Sequence, residues 1–306
     1  MKPSTARPPR RTSAPRAVVF AAAGLLALPA QGRTTHFAAP RAGAREASAS
    51  EESTSPTIDS LRATAASTSD TAVVGGGTYR PLFPPSPSET SVAVAPFRLD
   101  RAPVTAGEYL AFVGAHPEWR RDRVARVLAD EGYLSRWESP DRLGAHVAAD
   151  EPVASVSWFA ARAYCAERGM RLPTEAEWEH AAAASRTRAD GDADPAWGAE
   201  LLAVYSRPAA ARPGPVRAGA PNFWGIYDLH GLVWEWVSDF GNAATAFGDT
   251  GAGGFCGAVA SGATKTNASS FPAFERVAFR TSLRAAYTTR NLGFRCASSL
   301  PNRSTP

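Results

Sequence analysis

Lysine is nearly missing from this chain, cysteine is scarce, and no two histidines stand at metal-ligand spacing; each shortage removes a class of function. Lysine occurs only at Lys2 and Lys265, so arginine carries the positive charge. The formal net charge of +4 is concentrated at the start: residues 1–32 hold Lys2, Arg7, Arg10, Arg11 and Arg16 and no acidic side chain, and removing those five leaves −1 for the remainder. Without a basic body the chain has no electrostatic footprint for nucleic acid, and none is expected as a partner. His116, His146 and His180 are isolated, and neither His-x-x-x-His nor His-Glu-x-x-His occurs, so a non-haem iron facial triad has no visible ligand set. Gly75-Gly76-Gly77 is not followed by Lys-Ser or Lys-Thr and is no phosphate loop. There is no internal repeat.

What remains is a chain of 306 residues, 44% of them hydrophobic, enough to bury a full core. Its one long apolar run, from Ala17 to Leu28, follows a basic stretch ending at Arg16. That run is too short to span a bilayer but suits the apolar region of a signal peptide. Pro29 ends it, and Ala30-Gln31-Gly32 places small residues where a signal peptidase inspects. Residues 1–32 therefore read as a signal peptide, the location as periplasmic or secreted, and no membrane contact is expected after cleavage. Residues 33–71 are rich in Ala, Ser and Thr and poor in large apolar side chains, which predicts a disordered linker. A folded domain is expected over 72–299, followed by a short tail, 300–306.

Local chemistry marks three helix starts. Thr105 with Glu108, and Thr174 with Glu177, have the capping-box spacing, and Ser157 is placed to cap a helix closed by Gly169. Glu175, Glu177 and Glu179 suit the positive end of the third helix, and Trp178 is expected to point into a core. Beyond residue 185 the helical period fades and Gly, Pro, Asn and aromatics alternate, predicting short strands and ordered loops.

Several stretches then match a known pattern in order. Phe97-Arg98-Leu99-Asp100 with Pro103-Val104-Thr105 opens it. Pro152 to Trp158, Ala163-Tyr164-Cys165 and Arg171 to Glu179 form a central block. Asn222 to Gly231, leading into Trp234-Glu235-Trp236, forms a second, and Asn291-Leu292-Gly293-Phe294-Arg295-Cys296 closes it. In these motifs the chain resembles the formylglycine-generating (sulfatase-modifying) enzyme family. The resemblance implies an α+β, loop-rich fold related to C-type lectin-like folds. It also implies a disulfide between Cys165 and Cys296.

Cys256, in Gly253-Gly254-Phe255-Cys256-Gly257, is then the odd cysteine. Family members that make formylglycine hold copper between two cysteines, because soft thiolates suit Cu(I). Here the second cysteine's place falls near Pro272, which counts against authentic formylglycine formation. Segments such as His116-Pro117-Glu118-Trp119 and Phe255-Cys256-Gly257 resemble an exported subgroup, which includes a pyoverdine-maturation protein and an accessory protein of copper nitrite reductase. That likeness implies oxidative maturation of a peptide or protein substrate, with Cys256 as catalytic thiol or as ligand to copper or iron. A buried structural cysteine is the other reading. The family's calcium loop maps onto Asp228, Gly231, Val233 and Glu235, whose oxygens at offsets 0, 3, 5 and 7 can converge on a hard cation. The alternative has Glu235 in a salt bridge and Asp228 capping a turn. His230, Arg280 and Arg295 fall in the signatures as candidate substrate-binding residues, with structural roles as the alternative. Two functions follow: an exported oxidative maturation factor, or a non-catalytic binding or accessory module on the same fold.

Overall fold

The structure is a computed structural model, and it describes residues 70–84, 88, 90–191, 194–208, 213–241 and 270–301. In chain order its elements are β1 (Thr71–Val74), β2 (Gly77–Tyr79), β3 (Val92–Val94), β4 (Phe97–Asp100), α1 (Ala106–Ala115), a 3-10 turn (Pro117–Trp119) and α2 (Trp158–Glu167). There follow α3 (Glu175–Ala182), α4 (Pro195–Tyr205), β5 (Trp234–Glu235), α5 (Phe271–Thr281), β6 (Leu292–Gly293) and β7 (Ala297–Ser299). Strands are short and loops long, giving a mixed α+β, loop-rich fold. Among the described residues no helix is long and apolar enough to cross a membrane.

Three helices begin where local chemistry places them. Thr105 Oγ1 accepts the Glu108 N–H (3.2 Å) while Glu108 accepts the Thr105 N–H (2.8 Å), and Thr174 and Glu177 repeat the exchange at the head of α3. Ser157 accepts the Ala160 N–H at the head of α2, and Gly169, at φ +65°, turns the chain out of it. Two helices depart from the expectation of strands and loops beyond residue 185. Helix α4 buries none of its residues, so it has no apolar stripe to betray it; its signal is the Asp194 cap followed by Pro195. Helix α5 buries Pro272, Arg276, Val277 and Arg280. Two of those four inward positions are arginines, which a hydrophobic-periodicity reading assigns to solvent.

The sheet β1-β4-β7 is antiparallel throughout and joins the two ends of the described domain, with Ala72 opposite Leu99 and Leu99 opposite Ala297. Alternation along β1 buries Ala72 and Val74 and leaves Val73 outside. The short parallel pair β5–β6 sets Trp234 against Leu292 and Glu235 against Gly293, laying the Trp-Glu-Trp motif beside the closing signature. Gly293 is required there, since a Cβ at that position would lie 2.4 Å from the Val153 carbonyl oxygen. The main core gathers α1, α2 and the closing segment around Tyr109, Trp236 and Phe294, with the Tyr109 and Tyr133 hydroxyls paired at 2.7 Å. A second cluster joins the sheet to Trp178, Ile226 and Leu229.

Cys165 on α2 and Cys296 before β7 are both fully buried and form a disulfide, their Cα atoms 5.5 Å apart and 131 residues distant in sequence. Closing so long a loop in the unfolded chain is worth about 4–5 kcal/mol. With that bond intact, the denatured chain is expected to titrate one thiol with a chromogenic disulfide reagent. After reduction it should titrate three and lose most of that stability in a urea melt; three thiols before reduction would contradict the pairing.

Candidate functional site

Two spacings of four residues build the site. Glu175 and Glu179 share a face of α3, Arg276 and Arg280 share a face of α5, and the two helices set these faces together. Glu179 accepts from Arg276 Nε (2.9 Å) and Nη2 (2.7 Å) and from Arg280 Nη1 (2.5 Å). Arg280 Nη1 also reaches Glu175 (3.4 Å). Burial alone would raise the Glu179 carboxyl, but the two guanidiniums override it and hold its pKa at about 2. Burial pushes Glu175 up, with Arg280 opposing. The Trp178 ring lies against both cations, its centroid 5.7 Å from the Arg276 guanidinium carbon and 4.9 Å from that of Arg280.

Trp178 also ties this cluster to a second one. Its Nε1–H donates to Glu235 Oε2 (2.8 Å), and Arg295 clasps the same carboxylate through Nε (2.7 Å) and Nη2 (2.7 Å). Arg295 is fully buried and also donates to the Asp100 and Tyr227 carbonyls.

The orientation of His230 follows from its neighbours. Nε2 lies 2.9 Å from the Ala182 carbonyl, which only accepts, so Nε2 carries the proton. Nδ1 then accepts from the Tyr205 hydroxyl (3.2 Å), whose oxygen accepts in turn from Arg276 (3.1 Å). Burial first, and then Arg276, lower the His230 pKa to about 4, so the ring is neutral at physiological pH. A cavity of about 700 Å³ opens beside this network, walled by Trp178, Tyr205, His230, Trp234, Arg276 and Arg280. Trp234 stacks on Phe279 with ring centroids 4.5 Å apart and planes at 18°.

The structure thus brings His230 and Arg280 onto one cavity. Arg295 is not on its wall: paired with Glu235 and wholly buried, it is a structural arginine in this arrangement. Cys256 lies outside the described residues. Pro272, near the place of the family's second copper-binding cysteine, is buried in the first turn of α5. With Cys165 and Cys296 joined, one thiol remains, and the bis-thiolate copper set does not fit this chain. Asp228, Gly231, Val233 and Glu235 border the cavity together. Both Glu235 oxygens, however, already hold a guanidinium, and Asp228 Oδ2 accepts the Arg217 N–H (2.5 Å). A cation bound to Glu235 would sit beside the positive charge of Arg295, so the four positions do not fit calcium as arranged. Among the described residues no three His, Cys, Asp or Glu side chains converge as a metal site. Sequence reasoning places Glu179 only at the positive end of its helix and assigns no site role to Arg276 or Tyr205. The signal available for the first two was the matched pair of four-residue spacings.

Residues 58–300 match the sulfatase-modifying factor enzyme 1-like domain. The chain belongs to the formylglycine-generating, sulfatase-modifying factor family. It is 29% identical to the formylglycine-generating enzyme of Thermomonospora curvata, over 73% of this chain and 91% of that relative. It is 35% identical to the inactive C-alpha-formylglycine-generating enzyme 2 of Mus musculus, over 68% of this chain and 77% of that one. The hercynine oxygenase of Mycobacterium tuberculosis is 35% identical over 48% of this chain, but the match spans only 38% of that relative's length. Among solved structures, CarF aligns at 18% identity with a TM-score of 0.43, over 76% of this chain and 99% of CarF. PvdO from Pseudomonas aeruginosa aligns at 19% identity with a TM-score of 0.42, over 75% of this chain and 94% of PvdO.

Glu179→Gln leaves two guanidiniums facing one remaining carboxylate in a buried site, and the expected loss is about 3–5 kcal/mol of unfolding free energy by urea denaturation. His230 gives a pH signature. Its pKa is about 4 when folded against 6.5 when unfolded. Between those values the unfolded chain binds more protons, so the contribution of His230 is present above pH 6.5 and is lost as pH falls towards 4. Wild type is expected to lose melting temperature over that window more steeply than His230→Gln, and parallel curves would contradict the assignment.

Proposed function

We propose that this chain is an exported oxidative maturation factor acting on a peptide or protein substrate held in the cavity beside His230, Trp234 and Arg280. The observation that carries the reading is the cavity itself. The Trp-Glu-Trp loop, the closing signature and helix α5 converge on it, and it combines aromatic faces, guanidinium donors and an uncharged imidazole. Relatives named formylglycine-generating enzyme and hercynine oxygenase support oxidative chemistry in this family. Export is supported by the apolar run 17–28 behind its basic stretch, and by the disulfide, which suits an oxidising compartment such as the periplasm. Cys256, the thiol left over, is assigned the catalytic role. Copper or iron is the redox partner by analogy with metal and oxygen chemistry in the family, held otherwise than by a cysteine pair.

The unpaired thiol favours a second reading, in which the fold has become a binding or accessory module. A relative named as inactive, similar over most of its length, supports this alternative. One experiment separates them. The chain from residue 33, supplied with copper or iron and peptide substrates, is expected to bind the metal and consume O₂, and Cys256→Ser should abolish both without lowering the melting temperature. Metal binding and O₂ uptake absent from both proteins would favour the binding module, and uptake that survives the substitution would remove Cys256 from the chemistry.

A further inference from the structure

Two arginines at this cavity remain unspent. Arg276, Arg280 and Arg295 are all committed to Glu179, Glu175 and Glu235. Arg207, just after α4, and Arg290, just before the closing signature, also line the cavity, are exposed, and have no side-chain hydrogen bond or ion pair among the described residues. Of the wall's two carboxylates, Glu235 is neutralised by Arg295, and one oxygen of Asp228 accepts the Arg217 backbone N–H, so at most one negative charge faces the two arginines. Beside Arg290, Asn291 uses its side-chain oxygen to accept the Thr289 hydroxyl (3.0 Å), which leaves its amide hydrogens as further donors at the wall. The same cavity is lined by the aromatic surface of Tyr205, Trp234 and Phe279, with the Trp234 ring centroid 5.9 Å from that of Tyr205 and 4.5 Å from that of Phe279.

From this arrangement we infer that the cavity binds a carboxylate-bearing ligand with an aromatic or flat apolar body. Arg290 and Arg207 hold the carboxylate at the mouth, and the body lies against Trp234. A guanidinium fork matches a carboxylate in two parallel hydrogen bonds, which a neutral amide cannot accept. The inference rests on the cavity being the functional site and specifies its substrate class: a residue with a free carboxylate next to an aromatic group, as at the C-terminus of a peptide. No step of chemistry enters it.

The test is calorimetric titration of the chain from residue 33 with N-acetyl-tyrosine and with N-acetyl-tyrosinamide, which differ only in carrying a carboxylate or a neutral carboxamide. The acid is expected to bind at least ~10-fold more tightly, the value of one good charge-assisted hydrogen bond. Arg290→Ala should remove most of that preference, Arg207→Ala part of it, and Arg290→Lys should not restore it. Both arginines are exposed, so the variants should keep the wild-type melting temperature. Equal affinity for acid and amide, no binding of either at millimolar concentration, or a preference that survives Arg290→Ala would overturn the inference. Binding is read without turnover, so its failure is separate from that of the oxidative reading, which O₂ uptake decides.

Discussion

One buried carboxylate, Glu179, holds the site in place. Two helices far apart in sequence meet there, and they meet through charge rather than oil. A lone glutamate in this position would be driven towards its neutral form, and two lone arginines would be costlier still. Together they form a cluster in which each member makes the others' burial tolerable. Hydrophobic packing of equal volume would stabilise the contact at least as well. What charge adds is geometry: the fork of Arg276 and the single reach of Arg280 accept only one rotation of α5 on α3.

Trp178 extends that constraint to the second ion pair. Its ring faces the two guanidiniums and its N–H holds Glu235, so the α5 contact and the Glu235–Arg295 pair share a single rigid side chain. Through Arg276 and Tyr205 the same network reaches His230 and fixes its tautomer. The cavity wall is therefore preorganised by residues whose charges are paired internally. Recognition is left to the side chains at the mouth.

Much of this was legible in the sequence, and the exceptions share a cause. The capping boxes at Thr105 and Thr174, the cap at Ser157, the buried Trp178 and the Cys165–Cys296 pair are encoded by local chemistry or by motifs in order along the chain. Helix α5 was not, because hydrophobic periodicity assumes that what is inside is apolar, and here arginines point inward. The partnership of Glu179 with Arg276 spans almost a hundred residues and leaves no trace in any short window. Glu235 was seen as a calcium ligand through its motif. Whether a carboxylate meets a metal or a guanidinium depends on a residue sixty positions away, and the structure places Arg295 there.

The sheet has a consequence for how the molecule comes into being. Its middle strand, β4, is complete after Asp100, yet one of the two strands that flank it is made of residues 297–299, and the cysteine that locks α2 is residue 296. A polypeptide emerging from its N-terminus can form α1 to α4 and the β1–β4 pairing early, but neither the third strand nor the covalent lock exists until residues 296–299 have appeared. Closure over such separations is slow, because loop entropy is lost before the contacts that reward it are made. Completion of this sheet thus waits on residues 297–299, and a nascent fragment without them leaves one edge of β4 open to pair with whatever strand it meets first.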